Sequence, residues 1–534
     1  MSNAAATTMD VIPARSFAGH FTFAKIGLLF AVCSLVLLDG VNGAACSTVG
    51  KYLMGSFATT SDQITWAAIF YYVGKLYMLL FAAKMQALFG QRRAYLGTSI
   101  ALVLATAAGA FVSNYPSLLA VLLLQGAAGG LMIALGQGVL LAIFPRREQP
   151  LVQGAYALAA VMFPATIVPE IWGGFAYNLD WRYAYLFMTP IGLAGCGWLL
   201  WNRKMLSNSV NPVPLSIVRI ILVVTALFSI VYVLQQGNRN RWLEYPPIVW
   251  ALLLAAACIV WIAFIETSGR PTLLEYSAFQ YANFTFGSCV VIIAGISLFG
   301  SGYVISGFLS NVLSYPVSQS GFIQLSGTVF SIISFLAVGV IIRFTKIPPI
   351  IFLLFGLLLF GISMWHLGLA PSDSSFESLV PWLVMRAFAF GCQFIPLTLL
   401  ALTCLPAKDD VSAAGIFNFN RQLGALIGIA WLQSLLEHLT DRNQTVFGNA
   451  LSSTNPNVMA YAQAVQQALS LDGAAPAQAP PAATALVLQE AHRQWASIAF
   501  NGCFEWLSIA FLVFFPLTAA ARILTARYLK PACH

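Results

Sequence analysis

Six ionisable side chains, Asp39, Lys75, Glu170, Arg386, Arg421 and Glu505, lie inside long apolar stretches of the chain. An ionised group near the centre of a bilayer costs at least about 2.5 to 3.5 kcal/mol on insertion scales, so such groups usually face a partner or a watery cavity. At about 1.5 Å of helix rise per residue, Asp39 falls deep in its stretch. Lys75, Arg421 and Glu505 fall near the middle of theirs, and Glu170 and Arg386 in the outer halves. The chemistry open to this set is proton transfer and charge pairing. Asp39 and Lys75 come from consecutive stretches at similar depth, where a carboxylate and an ammonium can neutralise one another. The pair is either a static ion pair or a group that gains and loses a proton during transport. Glu505 has apolar neighbours and no sequence partner, so its neutral form costs less to bury, and it is a second proton-carrier candidate. The other reading of Glu505 is a carboxyl bonded to a neighbouring helix. Arg386 and Arg421 do not release their protons readily. Each serves as an acid's partner, a clamp on backbone carbonyls or a docking point for an anionic solute. Asp39, Lys75, Arg421 and Glu505 are expected to surround one wetted chamber.

Glu170, a third proton-coupling candidate, follows Pro169 in a stretch that also holds Pro164, Gly173 and Gly174. Two prolines free helical carbonyls and two glycines allow close approach, which implies a flexing helix. Polar and aromatic candidates for a cavity are Asn42, Tyr71, Tyr72, Gln125, Gln137, Gln393, Asn418 and Asn420. Some of these are packing glue between helices and some touch solute.

The elements that must position these groups are transmembrane helices. Of 534 residues 59% are hydrophobic and 8% charged, against about 25% charged in a soluble domain. Apolar runs of about 20 residues, each long enough to cross about 30 Å of hydrocarbon, recur from residue 23 to residue 526. They lack the alternation of barrel strands, so helices are expected. Candidate spans fall near 24–47, 63–83, 94–113, 117–143, 151–175, 183–202, 215–235, 247–266, 283–308, 321–343, 348–368, 379–405, 411–436 and 496–525. The expected architecture is an all-α integral membrane protein of about fourteen transmembrane helices. A cytoplasmic tail occupies 1–23, a six-helix bundle 24–203, an inserted two-helix region 204–282, and a second six-helix bundle 283–534. The second bundle includes a polar extracytoplasmic loop at 437–494, partly disordered, with a short helix near 460–471.

The formal net charge of +8 comes from scattered Lys and Arg clusters between apolar runs, which is a topology signal and not a nucleic-acid surface. With both termini in the cytoplasm, Lys84, Arg92, Arg93, Arg146, Arg147, Arg203 and most other basic residues fall on the cytoplasmic side. The nine cysteines form no CxxC pair and the histidines no spaced ligand set, so neither a disulfide nor a metal site is expected. No P-loop or hydrolase motif appears in a supporting context, which excludes direct use of ATP and argues against an enzyme. The expected partners are the lipid bilayer, a small-molecule substrate and protons, with the proton gradient expected as energy source and no cofactor.

The layout resembles the major facilitator superfamily, specifically its fourteen-span drug:proton antiporter group, over nearly the whole chain. The likeness is carried by LeuLeuAspGlyValAsnGlyAlaAlaCysSer at 37–47, LeuGlnGlyAlaAlaGlyGly at 124–130, and ProGluIleTrpGly at 169–173 with AspTrpArg at 180–182. TyrValLeuGlnGlnGly at 232–237 and ArgProThrLeuLeu at 270–274 resemble the inserted helix pair. ArgAlaPheAlaPheGly at 386–391 and AsnPheAsnArgGlnLeuGly at 418–424 complete it. The loop after the second span keeps Gly90, Arg92 and Arg93 of a gating motif, but Ala87 and Leu88 replace its Asp-Arg. Leu122 stands where the family usually has Arg, and Trp172 where it has glycine; Lys75, absent from the usual pattern, can supply an intramembrane positive charge. The resemblance implies two six-helix bundles rocking around a central cavity, and export of amphiphilic or toxic compounds by proton antiport in a bacterial inner membrane. It also implies work beside a periplasmic adaptor and an outer-membrane channel. A dedicated exporter of one anionic metabolite, such as a siderophore, is the alternative function, and a non-transporting scaffold or sensor a third.

Overall fold

The computed structural model describes residues 23–529 apart from 207–209, 211–215, 268–275, 316, 346, 449–455 and 472–478, and the described residues are helical without a β-sheet. The tail at 1–22 and the Ala/Pro/Gln-rich stretch at 472–478 thus lie outside the described residues. Six helices open the chain: α1 (Phe23–Phe57), α2 (Ser61–Phe89), α3 (Gln91–Gly109), α4 (Tyr115–Ile143), α5 (Gln149–Asn178) and α6 (Arg182–Trp201). The pair α7 (Ile217–Gln236) and α8 (Pro246–Thr267) follows. Then come α9 (Ala282–Val312), α10 (Val317–Phe344), α11 (Pro349–Gly368), α12 (Phe376–Leu402), α13 (Asp410–Gly448), α14 (Pro456–Leu471) and α15 (Ala479–Tyr528).

Among the described residues thirteen helices are long and apolar enough to cross a membrane. The fourteenth expected span, α3, misses that criterion because its first turn is Gln91-Arg92-Arg93, yet it packs among α4, α6 and α2. Local chemistry sets several starts. Thr60 accepts from the Gln63 backbone while the Gln63 side chain accepts from Thr60, and Asn114 and Ser117 close the same reciprocal cap ahead of α4. Between α2 and α3 the chain turns on Gly90 alone, at φ 77°, a conformation that a Cβ would strain.

Two large apolar cores form, beside a smaller one of Ala67, Tyr71, Val112, Leu118 and Leu122. One runs from Leu28 to Val231 and takes in Val411 and Leu426 of α13; the other joins the α5 turn at 157–162 to α9–α13 and α15. Helix α8 packs chiefly on α7 and leaves Trp250, Val260, Trp261 and Phe264 exposed, as a lipid-facing surface requires. The polar stretch expected as a partly disordered loop at 437–494 is largely helical where described. Helix α13 runs on to Gly448, α14 covers Pro456–Leu471, and α15 begins at Ala479. At about 1.5 Å per residue the 39 residues of α13 and the 50 of α15 both outreach the hydrocarbon layer. Cys404 also departs from expectation, since it is disulfide-bonded, while seven other cysteines are free.

Candidate functional site

The sequence pairing of Asp39 with Lys75 is present, with a third member. Lys75 Nζ donates to Asp39 Oδ2 at 2.8 Å, and the Tyr71 hydroxyl donates to Oδ1 at 2.8 Å. Lys75 also donates to the Tyr71 oxygen at 3.2 Å. Tyr71 and Lys75 are four residues apart and therefore share a face of α2, so one turn of helix presents both donors to the carboxylate. Asp39 is 1% exposed, Tyr71 2% and Lys75 5%. A carboxylate so enclosed is tolerable only because both oxygens are occupied.

Helix α4 makes the room. A Cβ on Gly129 would collide with the Asp39 carboxylate, and Gly126 and Gly130 lie against the backbone carbonyls of Tyr71 and Lys75. Glycines four residues apart let α2 and α4 approach as small-residue pairs do in membranes. Gln125, expected near the cavity, instead donates to the Ala105 carbonyl of α3 at 2.9 Å. Asn42 donates to Thr106 at 2.8 Å. Both are helix-to-helix links.

In the second half the residues divide in the same way. Gln393 accepts from Ser297 at 3.1 Å and donates to the Gly356 carbonyl at 3.1 Å, tying α9, α11 and α12. Arg386 donates to Ser301 Oγ at 2.9 Å and to the Leu298 carbonyl at 3.5 Å, and lies over the Phe390 ring. Leu298 lies in the π-helical turn Ile296–Gly300 of α9 and Ser301 directly follows it, so Arg386 acts as a carbonyl clamp there. Arg421 is buried, and its Nε has no hydrogen-bond partner. Glu505 does not join Asp39, Lys75 and Arg421 in the interior. It is exposed on the outer face of α15, beside Gly368 at the end of α11. The misplacement has a simple cause: depth along a helix is countable from sequence, but the direction a side chain faces depends on packing.

Glu170 lies in α5, and its side chain is outside the described residues. That helix carries a π turn at Leu158–Met162 followed by Pro164, whose ring packs against the Gly40 position of α1, and then Pro169. The Phe163 amide donates to the Leu158 carbonyl, the wide spacing of a π turn. Gly173 is half-buried, and Arg92 and Arg93 sit in the first turn of α3.

Sequence reasoning missed two features. Trp172, noted only for replacing a glycine, is fully buried, donates from Nε1 to the Val41 carbonyl at 3.0 Å and meets Tyr185 edge-on. The second is a run of amides between the halves. Asn418 donates to Gln137, Gln137 to Gln153 at 3.0 Å and Gln153 to Gln149 at 3.1 Å, and Gln149 ends on the Phe144 carbonyl at 2.9 Å. Gln149 and Gln153, one turn apart at the head of an apolar run, were the available signal. Around this run the halves close, with Gly138 against Val411, Gly415 against the Leu79 carbonyl, and Arg343 paired with Glu148 at 2.8 Å. At the other end the α7–α8 turn spans both halves. Arg239 pairs with Asp62 at 2.9 Å, and Trp242 donates to Ser434 at 3.0 Å.

Among the described residues no group of His, Cys, Asp or Glu could hold a metal. The sequence model of the Major Facilitator Superfamily matches residues 28–429. The chain is 23% identical to the multidrug export protein EmrB of Haemophilus influenzae over 416 residues, 77% of this chain and 79% of that one. It is 23% identical to the multidrug export protein EmrB of Escherichia coli K12 over 442 residues, 82% of this chain and 85% of that one. Among solved structures it is similar to the human organic anion transporter MFSD10 (TETRAN). The TM-score is 0.56 at 13% identity, covering 93% of this chain and 98% of the other, which is a likeness of fold.

Proposed function

Because this chain belongs to the Major Facilitator Superfamily and is a transporter and not an enzyme, we propose that it exports small amphiphilic or toxic compounds by proton antiport with alternating access. The observation that carries the reading is the buried cluster of Asp39, Lys75 and Tyr71 joining α1 to α2. Asp39 has two alternative neutralising partners, the Lys75 ammonium and a proton. Once it takes the proton its attraction for Lys75 is lost, the α1–α2 contact changes, and the balance between facing states shifts. Coupling is then a difference in affinity between those states. The printed names of the two EmrB relatives support multidrug export as the direction and breadth of transport.

In this reading the end carrying the amide run and the basic clusters faces the cytoplasm with both termini, and the membrane is a bacterial inner membrane. The proton gradient supplies the energy without a cofactor, and a periplasmic adaptor and outer-membrane channel carry the product onward. The test is efflux of a panel of amphiphilic dyes from proteoliposomes, with and without an imposed pH gradient. Efflux should follow the gradient, and Asp39→Asn should abolish the gradient-dependent part. Equal efflux in both conditions removes proton coupling, and an unaffected D39N protein removes Asp39 from it.

A further inference from the structure

Arg421 is the buried charge that the Asp39 cluster does not use. It lies about three turns into α13, 5% exposed, and among the described residues its guanidinium makes no hydrogen bond or ion pair. Its backbone carbonyl is packed against Gly295 of α9, while Asp39 of α1 and Tyr156 of α5 are close enough to interact with it electrostatically from the opposite half. Neither of these is hydrogen-bonded to it. Both Asp39 oxygens are held by Lys75 and Tyr71, and the Tyr156 hydroxyl donates its proton to the Ile133 carbonyl at 3.0 Å. A guanidinium keeps its charge in proteins, so it does not escape the cost of enclosure by shedding a proton. An uncompensated charge in such a place calls for an anion.

Resting on the transport reading above, we propose that Arg421 docks the anionic group of the transported compound, which makes the substrates amphiphilic organic acids and not lipophilic cations. The guanidinium offers paired N–H donors that match a carboxylate. Helix α13, which carries Arg421, packs on α2 and α4 of the first half, so an anion bound there lies near the seam of the two halves. The contrast with Arg386 supports the assignment, because that arginine already spends its donors on Ser301 and Leu298.

The test uses three probes of one shape, anthracene-9-carboxylate, its methyl ester and 9-(aminomethyl)anthracene, bound to the full chain in nanodiscs of zwitterionic lipid and followed by fluorescence. Zwitterionic lipid keeps anionic headgroups from competing. The carboxylate should bind at least tenfold tighter than the ester or the amine. Arg421→Gln should bring the carboxylate to the level of the ester while changing ester binding less than twofold, and Arg421→Lys should fall between. A purely structural Arg421 would weaken all three probes alike. Equal affinities, preference for the amine, selectivity kept in R421Q, or no carboxylate binding up to its solubility limit would each overturn the proposal. Gradient-driven efflux of the same probes separates the two readings. Efflux indifferent to the gradient sinks proton antiport and leaves the anion selectivity standing, whereas gradient-driven efflux without selectivity does the reverse.

Discussion

The two halves of the molecule treat their interior charges differently. In the first half Asp39 and Lys75 meet at 2.8 Å with Tyr71 closing the third side, and glycines of α4 are spent on making the space. In the second half two arginines stand without a carboxylate partner among the described residues, and they differ from each other. Arg386 is clamped to a hydroxyl and a carbonyl at a π turn, whereas Arg421 has no bond at all. A buried charge with its bonds filled is part of the packing, and one with them empty is held ready for something that arrives. The difference separates charges bonded between helices, among them the Asp39 cluster of the proposed proton exchange, from the one whose donors are open to a solute.

The most severe break of that comparison is Lys75→Met, which strands the Asp39 carboxylate. Removing one partner of a buried pair costs about 3–5 kcal/mol, and thermal unfolding in detergent should show a large fall. Adding Asp39→Asn should recover much of it, because no charge is then left unpaired; a double variant as unstable as K75M alone would mean the loss comes from packing and not from charge. A smaller effect is expected from Arg386→Gln, which gives up hydrogen bonds from a charged donor worth about 1.5–3 kcal/mol. Arg421→Gln, by contrast, should unfold at the same temperature as the parent or higher. If the two arginine variants lose stability equally, the distinction drawn between them is wrong. Among the variants expected to lose stability, the smallest loss is that of Trp172→Phe, which keeps the ring against Tyr185 but removes the Trp172 donor from the Val41 carbonyl. A loss of about 1 kcal/mol is expected, again read by thermal unfolding, and none at all would show that Trp172 contributes by volume alone.

Much of the fold was legible because a bilayer restricts the choices. Hydrocarbon admits helices or closed barrels, and run lengths near 20 residues located the spans. The reading is less direct where that constraint weakens. The span expected at 94–113 is the helix α3, which carries arginines in its first turn so that apolarity alone undercounts it, and the described part of the polar stretch after α13 is largely helical. For the site, the Asp39–Lys75 pairing followed from depth on consecutive helices. Glu505 was matched for depth in the same way and lies on the wrong face.

Composition and periodicity by themselves determined that this protein is a helical membrane protein, since burying backbone in lipid leaves few alternatives. They also placed each interior charge along its helix, because rise per residue is fixed. Only the tertiary structure decided which charges meet. Rotation about a helix axis is set by neighbours such as Gly126, Gly129 and Gly130, not by position in the run. That rotation puts Asp39 against Lys75, Arg386 on a carbonyl, Glu505 on the outer surface, and Arg421 between the halves with its donors unspent.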